Sequence, residues 1–179
     1  TGEDFGEFLK KEIFIPCDMN DTTFAPTEEQ WKRFIMMHDK VDGKNTESKT
    51  YPGCVFENFP CEHNLAGAGL ASTLDDYSKF AIMLCNKGEI NGRRIVSEEA
   101  VKKISTPYIT KGPLYESESW GLSVRIITNF EGYAEKTQGK LPVGSYGWSG
   151  AYGTHFWIDP ENNICAIHMK NSRFDGGAA

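Results

Sequence analysis

Gly153-Thr154-His155-Phe156-Trp157-Ile158-Asp159-Pro160-Glu161-Asn162-Asn163-Ile164-Cys165-Ala166-Ile167-His168-Met169 is the stretch whose pattern settles the fold. Aromatic and β-branched residues recur on both sides of Asp159-Pro160-Glu161-Asn162, a turn sequence. Two such runs with a turn between them form an antiparallel hairpin. Ahead of it, residues 120–128 are rich in Leu, Val and Ile, and residues 144–149 form another short run. Strands are therefore expected from about residue 118 to 170.

The part upstream, about residues 1–110, follows a helical period instead. Phe5, Phe8, Leu9 and Ile13 recur at helical spacing, and Ile15-Pro16 ends that run because the residue before proline avoids the α region. Thr27-Glu28-Glu29-Gln30 is a capping box that predicts a helix to about His38. Residues 39–66 hold Gly, Pro, Asn, Ser and Thr without a period and read as a long surface excursion. Thr73 then caps the clearest helix, with Asp75 and Asp76 in its first turn. Leu74, Tyr77, Phe80, Ala81, Leu84 and Cys85 form its apolar stripe, and Gly88 closes it. Asn91-Gly92 is a turn, and Ser97-Glu98-Glu99 opens a third helix. Helices followed by antiparallel strands make the fold class α+β, in one domain. A chain of 179 residues buries roughly 70% of its unfolded surface on folding.

Bulk properties narrow the partners. A net charge of -6 argues against nucleic acid and anionic membranes, which need clustered Lys and Arg. Apolar runs such as residues 80–85 are far shorter than the ~20 residues that span a bilayer, so no transmembrane segment is expected. The five cysteines (Cys17, Cys54, Cys61, Cys85, Cys165) include no CxxC pair. Cys61-Glu62-His63 offers two ligands without a second pair nearby, so neither metal nor cofactor is expected.

Gly147-Trp148-Ser149-Gly150-Ala151 nearly matches the nucleophile elbow G-x-S-x-G, with His155, His168, Asp159 and Asp175 downstream as possible partners. An elbow needs a helix after its serine. Residues 152–159 instead carry a strand pattern, so Ser149 reads as a strand hydroxyl lining a site. His38 falls in a helix tail and His63 in the excursion, while His155 and His168 are single positions on strands. None of them completes a catalytic triad.

These segments carry a family resemblance. Gly67-Ala68-Gly69-Leu70-Ala71-Ser72-Thr73, followed by Asp75-Asp76-Tyr77-Ser78-Lys79-Phe80-Ala81-Ile82-Met83-Leu84, resembles the GGGLxSTxxDYxxFxxML segment of serine β-lactamase-like hydrolases. That family includes class C β-lactamases, related esterases and DD-peptidases. Asn91-Gly92-Arg93-Arg94-Ile95-Val96-Ser97 and the opening residues 8–16 continue the match. Residues 148–160 resemble the strand of the family's third motif, which runs into an Asp-Pro turn. The resemblance covers nearly the whole chain, in the right order. It implies a β-lactamase/transpeptidase-like fold and acyl transfer through a serine acyl-enzyme.

The family also uses Ser-x-x-Lys, the nucleophile and its activator, and a Tyr-x-Asn motif. Neither occurs in these residues. The resemblance places both before Thr1, so the expectation is the C-terminal part of such a domain, inactive alone. The alternative is a non-catalytic binding or regulatory module of the same fold. The third motif is usually Lys-Thr-Gly or His-x-Gly, and Trp148-Ser149-Gly150 departs from it toward the Trp-Gly-Gly of the esterase branch. A cation at position 148 would pair with a substrate carboxylate, a charged hydrogen bond worth roughly 1.5–3 kcal/mol. Trp148 offers an apolar face and one N–H instead, or is simply a core aromatic.

By the resemblance, Trp148, Ser149, Gly150 and Tyr152 contact substrate, and the Ala151 amide is one oxyanion-hole donor. The lack of a Cβ at Gly150 would let the acyl group approach the strand edge. The implied substrates are small esters, β-lactams or peptidoglycan-like molecules. A chain cut from such a fold would expose apolar surface and associate with itself.

Overall fold

The computed structural model describes residues 1–48, 64, 66–109, 111, 116–137, 139 and 141–172. They fall into two compact units. One comprises Thr1–Phe80, Gly150–Thr154 and Met169–Ala179; the other comprises Ala81–Ser149 and His155–His168.

In the first unit, α1 (Phe5–Leu9) is capped by the Asp4 side chain, which accepts from the Glu7 N–H at 3.0 Å. The pattern predicts one continuous helix up to the Ile15-Pro16 stop, but Lys10–Phe14 is a π-helical turn. Its wider winding slips the register by a residue, so Phe14 is buried where Ile13 is only half-buried. The capping box at Thr27 forms as expected, with Thr27 Oγ1 accepting from the Gln30 N–H and Gln30 Oε1 from the Thr27 N–H. The helix it starts is shorter than predicted. α2 spans only Glu28–Trp31, and His38 begins a strand instead of ending a helix.

β1 (His38–Val41) pairs antiparallel with β2 (Lys44–Glu47) across Asp42-Gly43, both at positive φ. This Asp-Gly hairpin lies inside the segment read as a patternless excursion. Of the rest of that excursion, residues 49–63 and 65 lie outside the described residues.

α3 (Leu74–Cys85) begins in this unit, and its two leading acids take different roles. Asp75 is exposed and pairs with Lys79. Asp76 is 3% exposed. Its Oδ2 accepts from the Asp21 N–H at 2.7 Å and the Thr22 hydroxyl at 3.0 Å, so it ties the 21–22 loop to the helix start. Thr73 Oγ1 caps the helix by accepting from the Asp76 N–H.

In the second unit, the last turns of α3 bury Ala81, Met83, Leu84 and Cys85. The Gly88 N–H returns to the Met83 carbonyl at 2.8 Å, with Gly88 at φ +95°. A Cβ there would strike the Val96 carbonyl oxygen, so glycine is required by both conformation and space. Asn91-Gly92, both at positive φ, joins β3 (Glu89–Ile90) to β4 (Arg93–Arg94). Ser97 caps α4 (Glu98–Ile104).

A five-stranded antiparallel sheet comes next, in the order β5 (Glu118–Trp120), β6 (Arg125–Ile127), β7 (Tyr146–Ser149), β8 (His155–Asp159), β9 (Ile164–His168). The run 120–128, expected as one strand, is a hairpin: β5 ends at Trp120 and the chain reverses through Gly121 to Val124, with Ser123 at φ 65°. α5 (Phe130–Thr137) is not legible in the sequence, because it is short and holds Gly132. Ile126, Tyr146 and Ile158 are buried in this unit, and the Tyr146 hydroxyl donates to the Leu84 carbonyl. Burial pushes the Tyr146 phenol up to about 12. The Asp159 turn forms as predicted: Asp159 Oδ1 accepts from the Glu161 and Asn162 N–H groups.

Candidate active site

β7 carries the first two residues of the third motif. Trp148 pairs with Phe156 across β7–β8, and Ser149 pairs with His155. Ser149 is 8% exposed, and its Oγ lies 2.7 Å from His155 Nδ1. His155 stands opposite His168 in the β8–β9 register, with ring centroids 5.9 Å apart. Burial of the ring, and then the charge His168 can carry, hold the His155 pKa below its ordinary value. His155 is therefore a neutral imidazole at neutral pH, and its tautomer decides which partner of the Ser149 pair donates.

Trp148 is half-buried and fixed on two sides. The Trp120 ring lies 4.6 Å away, centroid to centroid, at an interplanar angle of 55°. The Arg125 guanidinium sits 5.3 Å over the Trp148 ring. Arg125 is also 3.3 Å from Glu118 Oε1, and Glu118 is 3% exposed. In the register, Arg125 faces Gly147. A Cβ at Gly147 would strike the Phe156 carbonyl oxygen, so a side chain there would have to displace the strand backbone.

The next residues of the motif, 150–154, form a tight reversal. The Gly150 N–H donates to the Thr154 carbonyl at 2.7 Å, and the Gly153 N–H to the Gly150 carbonyl at 3.1 Å. Ala151 is exposed at the tip of the reversal. Among the described residues its N–H donates no hydrogen bond, which leaves that donor free for an incoming acceptor. Tyr152 is half-buried, and its carbonyl accepts from the Ser172 N–H. The space a Cβ at Gly150 would take is filled by the Thr154 hydroxyl.

A strand, not a helix, comes after this reversal, so the structural context of a nucleophile elbow is missing. The Ser149–His155 pair is not visible in the sequence, because the two are six residues apart and only the cross-strand register joins them. Asp159 supplies no third member, since its carboxylate holds the turn through Glu161 and Asn162. His38 lies on β1 with Nδ1 2.9 Å from the Met36 carbonyl. Cys54, Cys61, His63 and Asp175 lie outside the described residues. Among the described residues no group of three or more His, Cys, Asp or Glu is placed to hold a metal ion. None of their helices is long and apolar enough to cross a membrane.

A Beta-lactamase family model matches residues 1–179. Protein Rv1367c of Mycobacterium tuberculosis is 26% identical over 172 residues, covering 91% of this chain and 42% of the relative. EstCE1, a hydrolase with promiscuous acyltransferase activity, superposes with a TM-score of 0.76 at 17% identity, over 99% of this chain and 48% of its own. The simvastatin synthase LovD of Aspergillus terreus (a LovD6 mutant) gives 0.75 at 20% identity, covering 96% of this chain and 46% of its own. A penicillin-binding protein homologue from Caulobacter crescentus gives 0.68 at 15%, covering 99% and 48%. At these identities the solved structures bear on the fold alone, which is β-lactamase/transpeptidase-like. The chain spans less than half the length of each of these relatives. The family match over the full length, the order of its motifs and this fold agree: the chain belongs to the beta-lactamase family.

Proposed function

We propose that this chain supplies the third-motif side of a serine hydrolase site that cleaves small esters through an acyl-enzyme. In this reading Trp148, Ser149, Gly150 and Tyr152 contact the acyl group, and the Ala151 N–H stabilises the oxyanion. The observation that carries it is that exposed amide at the tip of the 150–154 reversal, with no partner among the described residues. A donor already spent on an internal bond could not stabilise a developing oxyanion. The nucleophilic Ser and its activating Lys come from outside these 179 residues, because no Ser-x-x-Lys occurs among them.

The tilt toward esters rests on Trp148. The family's Lys or His at this position offers a cation to a carboxylate-bearing substrate, and an indole does not. The hydrolase with promiscuous acyltransferase activity among the fold relatives agrees with acyl-transfer chemistry.

This reading predicts that the 179-residue chain alone gives no turnover of a p-nitrophenyl ester. It also predicts that a fluorophosphonate probe leaves Ser149 unlabelled, since in this reading Ser149 is a strand hydroxyl and not the nucleophile. Serine-reagent-sensitive hydrolysis by this chain, with label on Ser149, would overturn the assignment of the nucleophile.

A further inference from the structure

The Trp148 ring does not hold its place by strand geometry alone. It is bracketed by the Trp120 ring at 4.6 Å and by the Arg125 guanidinium at 5.3 Å, and Arg125 is itself tied at 3.3 Å to Glu118. These three partners come from the β5–β6 hairpin, where Trp120 and Arg125 are directly paired. The Glu118 side chain is 3% exposed and that of Arg125 19% exposed. A carboxylate so buried needs a counter-charge, and Arg125 provides it. The guanidinium is thereby tied to Glu118, while its central carbon lies 5.3 Å from the indole centroid, within the range at which a cation is attracted to the ring quadrupole. Gly147, opposite Arg125, adds no side chain to compete for that space.

We propose that Arg125 is a positioning residue: anchored by Glu118, it holds the Trp148 ring against Trp120 and so sets the orientation of the indole at the third motif. This rests on the reading of Trp148 as a substrate-contacting residue, but the arrangement itself can be measured without substrate.

Two indoles this close couple their transitions, so the chain should show a Trp–Trp exciton couplet in its circular dichroism. Trp148→Phe and Trp120→Phe should each abolish it, and Trp31→Phe should leave it. Arg125→Met alone would strand a buried carboxylate and could unfold the chain. The test therefore uses Arg125→Met combined with Glu118→Gln, with Arg125→Lys as the conservative variant. The proposal expects loss of the couplet in the double variant, a retained couplet in Arg125→Lys, and cooperative unfolding in both. A couplet that persists in the double variant overturns it, as does equal loss in Arg125→Lys. Neither outcome touches the ester-hydrolase reading, which fails separately if Trp148→Phe leaves ester turnover and acyl-chain preference unchanged in a protein that carries the upstream nucleophile.

Discussion

Ser149 and His155 face each other across β7 and β8 with Oγ 2.7 Å from Nδ1, so the middle residue of the third motif is hydrogen-bonded to an imidazole. The pair shapes what Ser149 can offer a ligand. If His155 carries its proton on Nδ1, the Ser149 hydroxyl is free to donate; in the other tautomer the hydroxyl is spent on His155.

The depressed His155 pKa gives a pH prediction. The unfolded ring protonates near its ordinary value of 6.5, while the folded ring, buried and beside His168, protonates at lower pH. Between those values the unfolded state binds more protons, so stability falls as pH drops below about 6.5 and levels off once the folded ring is charged. Urea denaturation of wild type and His155→Gln across this range should show the decline only in wild type. Parallel curves would contradict the assignment.

Asp159 should add a second, more acidic step. Its carboxyl is held below 3.8, chiefly by the Asn162 side-chain amide, against an opposing contribution from burial. Its contribution is present above 3.8 and lost as pH falls through the folded value. Asn162→Ala should shrink that step and leave the His155 step unchanged in the same denaturation series.

The two motif glycines should respond differently to alanine. At Gly147 the new methyl meets the Phe156 backbone, which cannot yield without disturbing the β7–β8 pairing, so a loss of about 1–3 kcal/mol is expected. At Gly150 it meets the Thr154 hydroxyl, the movable end of a side chain, and the cost should stay below about 1 kcal/mol. Equal losses in equilibrium unfolding would refute this contrast.

The neighbouring acids of α3 should also separate. Asp76→Ala strands the Asp21 N–H and removes one of two partners of the Thr22 hydroxyl, which keeps Ser72 Oγ at 2.8 Å, and should cost on the order of 1–3 kcal/mol. Asp75→Ala removes a surface pair with Lys79, worth at most about 1 kcal/mol. Thermal unfolding of the two variants compares them directly.

How much the sequence reveals depends on how local the cause is. The Thr27 capping box, the Gly88 stop, the Asn91-Gly92 turn and the Asp159 hairpin each rest on a few adjacent residues, and each forms. The β1–β2 hairpin has a local signal in Asp42-Gly43, but its strands, His38–Val41 and Lys44–Glu47, lack the apolar alternation that marks a strand, and the reversal at 121–124 is fixed by the β5–β6 pairing. The same holds at the site. The resemblance points to Trp148 to Tyr152 as a candidate site, but His155, Arg125 and Trp120 come beside Ser149 and Trp148 only through cross-strand register, which no spacing in the chain encodes.

The central claim is that the Ala151 amide stabilises an oxyanion, and one comparison tests it most directly. In a protein that joins this chain to an upstream Ser-x-x-Lys, p-nitrophenyl ester turnover is measured for Ala151→Ser and Ala151→Pro, with folding checked by thermal unfolding. Ala151→Ser keeps the N–H and should retain turnover, while Ala151→Pro removes it and should lose roughly 100- to 1000-fold. Full turnover in a folded Ala151→Pro variant would contradict the account.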